Sequence, residues 1–186
     1  MRISELMDIL ACSPVIAAVR ESNFEAALES PVEVLFCLES HLVTVKERIS
    51  QAHKANKVIF VHIDLAEGIG KDKEGLQYLA SCGADGILST RGQLIKMAKE
   101  LGLLAIQRFF ALDSQGLGSA QEMLKNTNPH MMEILPGVVP KVIASYAAGS
   151  IPVIASGLIE TKQEITAALS KGALAVSTGK KELWYI

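Results

Sequence analysis

The chain has 186 residues, 18 of them basic and 20 acidic, for a formal charge of −2, and it is 49% hydrophobic and 20% charged. That balance excludes a disordered chain and supplies no overall field to draw it onto nucleic acid or an anionic membrane, so either kind of binding would need a local patch. No apolar stretch reaches the roughly 18 to 20 residues of a membrane span, and Cys12, Cys37 and Cys82 are odd in number without metal-binding spacing. No linker-like stretch divides the sequence. Residues 1–186 therefore read as a single cytoplasmic domain with reduced thiols and no metal.

An amphipathic opening, Ile3 to Leu10, precedes eight apolar runs: Val15 to Val19, Val32 to Leu38, Val58 to Leu65, Gly86 to Ser89, Leu103 to Phe109, Met131 to Leu135, Pro152 to Ala155, and Ala173 to Ser177. The runs are rich in Val, Ile and Ala on both faces, as strands covered by helices are, and they recur about every 20 to 25 residues, the period of a βα unit. Helix starts are expected after them at Ser22 with Glu25, Thr44 with Glu47, Thr90 with Gln93, Ser119 with Glu122, and Thr161 with Glu164, each a candidate reciprocal cap. Gly83, Gly102, Gly149 and Gly172 are expected to end the preceding helices. Eight parallel strands with right-handed crossovers predict a compact (β/α)8 TIM-type barrel. The sequence stops soon after the eighth run, so the last helix is expected to be truncated or missing. The opening helix could cover the bottom of the barrel.

In such a barrel the ligand face lies at the carboxyl ends of the strands. Gly157 would let a ligand approach the backbone, and Ser177, Thr178 and Gly179 offer N–H groups and hydroxyls to a phosphate. Arg20, Arg91 and Arg108 lie at strand ends, where a guanidinium fork suits phosphate or carboxylate, or else an ion pair with Glu39, Asp64 or Glu133. Alternation puts Gln107 and Arg108 on opposite faces of one strand without saying which faces the mouth. Asp64 and Glu133 could accept hydroxyl hydrogens, or act as acid and base. His62 reads as a hydrogen-bonded core residue on the same face as Asp64, and Phe109 and Phe110 as core. No dinucleotide or Walker fingerprint appears, and only the eighth strand end carries a lysine, Lys180, which argues against a Schiff-base aldolase.

The segments Ala17-Ala18-Val19-Arg20, His62-Ile63-Asp64-Leu65, Ile106-Gln107-Arg108-Phe109, Glu133-Ile134-Leu135-Pro136-Gly137, Gly157-Leu158-Ile159 and Ala175-Val176-Ser177-Thr178 with Leu183-Trp184 resemble the glycerol uptake operon antiterminator family in order and almost end to end. The resemblance implies a regulator, not an enzyme, that responds to glycerol 3-phosphate without a cofactor and acts on leader mRNA to prevent premature transcription termination. It implies a ligand site drawn from Arg20, Asp64, Gln107, Arg108, Glu133, Gly137, Gly157, Ser177, Thr178 and Gly179. No RNA-binding signature is visible. Basic groups occur locally at Lys71 and Lys73, at Arg91, Lys96 and Lys99, and at Lys180 and Lys181, and a homodimer could join two weak patches. The rivals are a barrel isomerase or lyase of small phosphorylated compounds, and a phosphate sensor that acts through a protein partner.

Overall fold

The computed structural model describes residues 1–111 and 114–186, with the side chains of all of these apart from 114–119 and 121. Helices and strands alternate: α1 (Ile3–Cys12), β1 (Val15–Val19), α2 (Phe24–Glu29), β2 (Val34–Cys37), α3 (Val45–Lys54), β3 (Val58–His62), α4 (Lys73–Ser81), β4 (Gly86–Ser89), α5 (Gly92–Glu100), β5 (Leu104–Phe110), α6 (Ser114–Thr127), β6 (Met131–Leu135), α7 (Pro140–Ala147), β7 (Val153–Ser156), α8 (Lys162–Ser170) and β8 (Ala175–Thr178). The eight strands are parallel, each beside its sequence neighbours, and β1 pairs with β8 through Val15–Val176, Ile16–Ser177 and Ala17–Thr178 to close a TIM-type barrel. No full helix follows β8 in the described chain; a short 3-10 turn, Lys181–Tyr185, stands in its place.

Period-two alternation sorts the strand side chains into two cores. Ile16, Val34, Phe36, Phe60, Leu88, Leu104, Ile106, Met131, Ile154 and Ala175 fill the barrel, joined by Leu6 and Leu10 of α1, which plug its amino-terminal end. The Phe36 and Phe60 rings meet edge to face, with centroids 5.6 Å apart at 72°. They fit because Gly86 opposite has no side chain: a Cβ there would lie 2.4 Å from Phe60 Cε1 and 2.4 Å from the Leu104 carbonyl oxygen. The other strand faces pack against the helices, with Ile59, Ile87, Ile134 and Val176 in the second core.

The helix caps are mixed in outcome. Thr161 caps α8 reciprocally, accepting from the Glu164 N–H at 3.2 Å while Glu164 accepts from the Thr161 N–H at 2.9 Å. Thr161→Ala should cost about 1 kcal/mol of stability by thermal or urea unfolding, and a loss of a few tenths would mean the box adds little. Thr44 precedes α3 without a side-chain cap. Asn23, not Ser22, precedes α2, and Arg91 precedes α5 because the Thr90 hydroxyl is engaged elsewhere. Ser119 lies within the span of α6, not at its start, and its side chain is outside the described residues. Gly83, Gly102 and Gly172 take the left-handed conformation that ends a helix; Gly149 does not.

Candidate anion-binding site at the barrel mouth

At the carboxyl ends of the strands a cavity of about 270 Å³ is lined by Ala18, Arg20, Leu38, Arg108, Glu133, Leu135, Ser156, Gly157, Leu158, Ile159, Ser177, Thr178 and Gly179. One side is backbone. Gly157 and Leu158 carry φ of 78° and 60°, so two successive left-handed residues turn the chain after β7. Glycine accepts this freely; Leu158 does so at a cost of about 1 to 2 kcal/mol while leaving its side chain 70% exposed. Among the described residues, the N–H groups of Leu158 and Gly179 have no hydrogen-bond acceptor. On the interior face of β8, Ser177 borders the cavity, and its hydroxyl has no partner among the described residues. These residues line one cavity, and backbone N–H groups and a hydroxyl at strand ends are donors of the kind that holds an oxyanion.

Thr178 faces outward and braces the two loops. Its hydroxyl donates to the Ile159 carbonyl at 2.8 Å and accepts the Lys180 N–H at 3.1 Å, and the buried Trp184 donates its indole N–H to the Thr178 carbonyl at 2.9 Å. Thr178 therefore contributes position, with its hydroxyl already spent.

The opposite side carries the arginines. Arg108 is on the interior face of β5, in line with Leu104 and Ile106, and its Nε and Nη2 donate to Glu133 Oε2 at 2.5 Å and Oε1 at 3.1 Å. Ser156 Oγ donates to the same Oε1 at 2.6 Å. Glu133 is fully buried and Arg108 is 9% exposed, lines the cavity, and has no partner for Nη1 among the described residues. Arg20 pairs with Glu39, and that hydrogen bond, helped by the Glu21 N–H, holds the Glu39 carboxyl below its ordinary range. Arg20 and Arg108 thus combine the two roles open to them in the sequence: each is ion-paired, and each reaches the cavity wall.

Three residues of the expected ligand site do not line this cavity. Gln107 faces the helices: its Nε2 donates to Met123 Sδ at 2.8 Å, and its Oε1 accepts from Thr127 Oγ1 at 2.5 Å. Asp64 follows the end of β3 in a 3-10 turn, Ile63–Leu65, which breaks the alternation that would have aligned it with His62. Its Oδ1 accepts from Ser89 Oγ at 2.8 Å, and its Oδ2 accepts the Thr90 N–H at 2.7 Å and hydroxyl at 2.9 Å, so it ties β3 to β4. Burial raises the Asp64 pKa, but these hydrogen bonds outweigh it and the carboxyl titrates below its usual value. Gly137 sits behind the wall, just after the cis Leu135–Pro136 bond, and donates to the Ser156 carbonyl at 2.5 Å. A Cβ on Gly137 would lie 2.6 Å from the Ser156 nitrogen, so glycine is needed for that approach. The expected site omitted Ser156, although alternation from Ile154 turns it inward.

His62 lies on the interior face of β3 and is 4% exposed, with Nδ1 buried and without a hydrogen-bond partner instead of the satisfied core contact expected. Burial, reinforced by the Arg108 charge and opposed by Asp64, lowers its pKa to about 4, so the ring is neutral near pH 7. Phe110, expected in the core, is half exposed at the mouth.

The closed barrel of eight parallel strands, with a cavity at its carboxyl-terminal mouth, defines a TIM-type barrel. Residues 15–184 match the family model described as glycerol-3-phosphate responsive antiterminator, and the chain belongs to that family. The family is a regulatory one, so the chain is an antitermination regulator and not an enzyme. It is 34% identical to the glycerol uptake operon antiterminator regulatory protein of Listeria monocytogenes str. 4b F2365, whose structure superposes with a TM-score of 0.87 over 91% of this chain and 94% of that one. A glycerol uptake operon antiterminator-related protein of Thermotoga maritima MSB8 is 32% identical, with a TM-score of 0.83 over 92% and 98%. The uncharacterized protein YgcP of Escherichia coli K12 is 32% identical over 96% of this chain and 95% of its own. Orotidine 5′-phosphate decarboxylase of Pyrococcus horikoshii OT3, at 14% identity and a TM-score of 0.67 over 88% of each chain, shares the fold alone. Among the described residues no helix is long and apolar enough to cross a membrane.

Proposed function

We propose that the mouth cavity binds glycerol 3-phosphate, and that the occupied form binds the leader mRNA of glycerol-utilisation genes in the cytoplasm and prevents premature termination. The observation that carries this reading is the presence of the unpaired Leu158 and Gly179 N–H groups and the Ser177 hydroxyl in the lining of one cavity, with Arg20 and Arg108 in its wall. A phosphate fits the donors, and about 270 Å³ accommodates a three-carbon body. Ligand can favour the RNA-competent state only to the extent that it binds that state better. Dimerisation would join two modest basic patches into one RNA footprint. Lys71 is not part of such a patch, since its ammonium turns inward to the Ala66 and Ile69 carbonyls.

An acid–base enzyme is disfavoured by the same geometry, because Asp64 and Glu133 are both committed to internal hydrogen bonds and the cavity wall contains no lysine. Ligand-observed NMR with stoichiometric protein, followed for several hours, tests the reading. Glycerol 3-phosphate should bind without new product signals, whereas product signals would make this an enzyme and no binding would remove the site. Binding to leader RNA should then strengthen with the ligand and weaken steeply as salt rises; a complex insensitive to salt would point to a protein partner. Ser177→Ala should weaken inorganic phosphate binding roughly tenfold by calorimetry, the size of one hydrogen bond to a charged acceptor.

A further inference from the structure

We infer that Ser156 and Arg108, both oriented by Glu133, form a hydroxyl-reading pair, so that the cavity selects a phosphorylated polyol over the corresponding ketone. The inference rests on the proposed ligand site and adds the residues that would discriminate at its far end. The phosphate donors lie at the ends of β7 and β8, leaving the β5 to β7 side of the cavity for the carbon body. There, Glu133 Oε1 accepts at once from Ser156 Oγ at 2.6 Å and from Arg108 Nη2 at 3.1 Å, which brings those two groups together around one buried oxygen. Glu133 is fully buried, so its role is to orient them and not to touch the ligand.

The hydrogen-bond inventory of the pair is unequal, and that gives it specificity. The Ser156 hydrogen is committed to Glu133, so Oγ can offer a ligand only its lone pairs. Arg108 has only donors, and its Nη1 has no partner among the described residues. One acceptor beside one donor matches an alcohol, which gives one hydrogen and accepts another. A ketone oxygen can accept from Arg108 but has no hydrogen for Ser156, leaving that oxygen desolvated and unpaired. A site built to hydrogen-bond a hydroxyl discriminates strongly on these grounds.

Dihydroxyacetone phosphate differs from glycerol 3-phosphate by a carbonyl in place of one hydroxyl, and inorganic phosphate reports the anion end alone. Calorimetric titration of all three into the full chain should show glycerol 3-phosphate at least about tenfold tighter than dihydroxyacetone phosphate. In Ser156→Ala this ratio should shrink to about threefold or less through loss of glycerol 3-phosphate affinity, and the inorganic phosphate titration shows whether the variant retains a folded site. Equal affinity of the unmodified protein for the two three-carbon phosphates overturns the inference while leaving the phosphate site intact. So does a ratio that survives Ser156→Ala, or a parallel loss of inorganic phosphate, which would make Ser156 part of the anion cradle or of its folding. Failure of the unmodified protein to bind glycerol 3-phosphate or phosphate at all overturns the ligand-site reading itself.

Discussion

Glu133→Leu should lower the unfolding free energy by about 3 kcal/mol, measured by urea denaturation near pH 7. The reason is what the substitution leaves behind. Glu133 is fully buried and accepts from Arg108 twice and from Ser156 once, inside a barrel whose next layer is Ile106, Met131 and Ile154. Without the carboxylate, a guanidinium that is 9% exposed remains in the interior uncompensated. Breaking such a pair costs about 3 to 5 kcal/mol, and the lower end applies because Nη1 borders a cavity that water can enter. The double variant Arg108→Met with Glu133→Leu should recover most of the loss, since replacing both charges by apolar groups is often close to neutral. If the double variant is as unstable as the single one, the cost comes from packing or from the orphaned Ser156 hydroxyl and not from the buried charge.

The barrel was legible because the pattern that specifies it is local and repeated: apolar runs buried on both faces, separated by stretches of helical period. The Thr161–Glu164 box was legible because both partners lie within one turn. What the sequence left open depended on pairing between distant segments. Alternation placed Gln107 and Arg108 on opposite faces, but only the closed barrel, with Leu104 and Ile106 filling its interior, shows that Arg108 is the one facing inward. Asp64 was expected to follow the β3 alternation, and the 3-10 turn after His62 removed it from that face. Thr90 matched a cap pattern yet folds its hydroxyl onto Asp64, a partner 26 residues away. Phe110 reads as core by composition, but it ends β5 at the open mouth, where its ring is half exposed. The place of Ser177 and Gly157 in the cavity lining was legible for a different reason: small polar residues and glycine at the ends of buried strands fall at the barrel mouth whatever the packing elsewhere.

Stability should also fall on mild acidification in a way that depends on His62. Its ring is enclosed in the barrel, and burial first, then the Arg108 charge and more weakly Lys71, opposed by Asp64 and a backbone hydrogen bond, bring its pKa to about 4 from an ordinary 6.5. Between those values the unfolded chain binds a proton that the folded chain refuses, so protons favour unfolding and stability declines as pH falls from about 6.5 towards 4. A shift of that size amounts to about 3 kcal/mol over the full window, all of it retained above pH 6.5. Asp64 and Glu39, both held low in the fold, add losses of the same sign at more acid pH, so the comparison must be with a variant and not with a single curve. His62→Phe keeps a planar ring and removes the titrating group. Urea unfolding at pH 7 and pH 4.5 should show the original protein losing about 2 kcal/mol more than the variant across that interval. Parallel losses would mean that the folded barrel accepts the imidazolium, with water or a ligand group reaching Nδ1 inside the mouth.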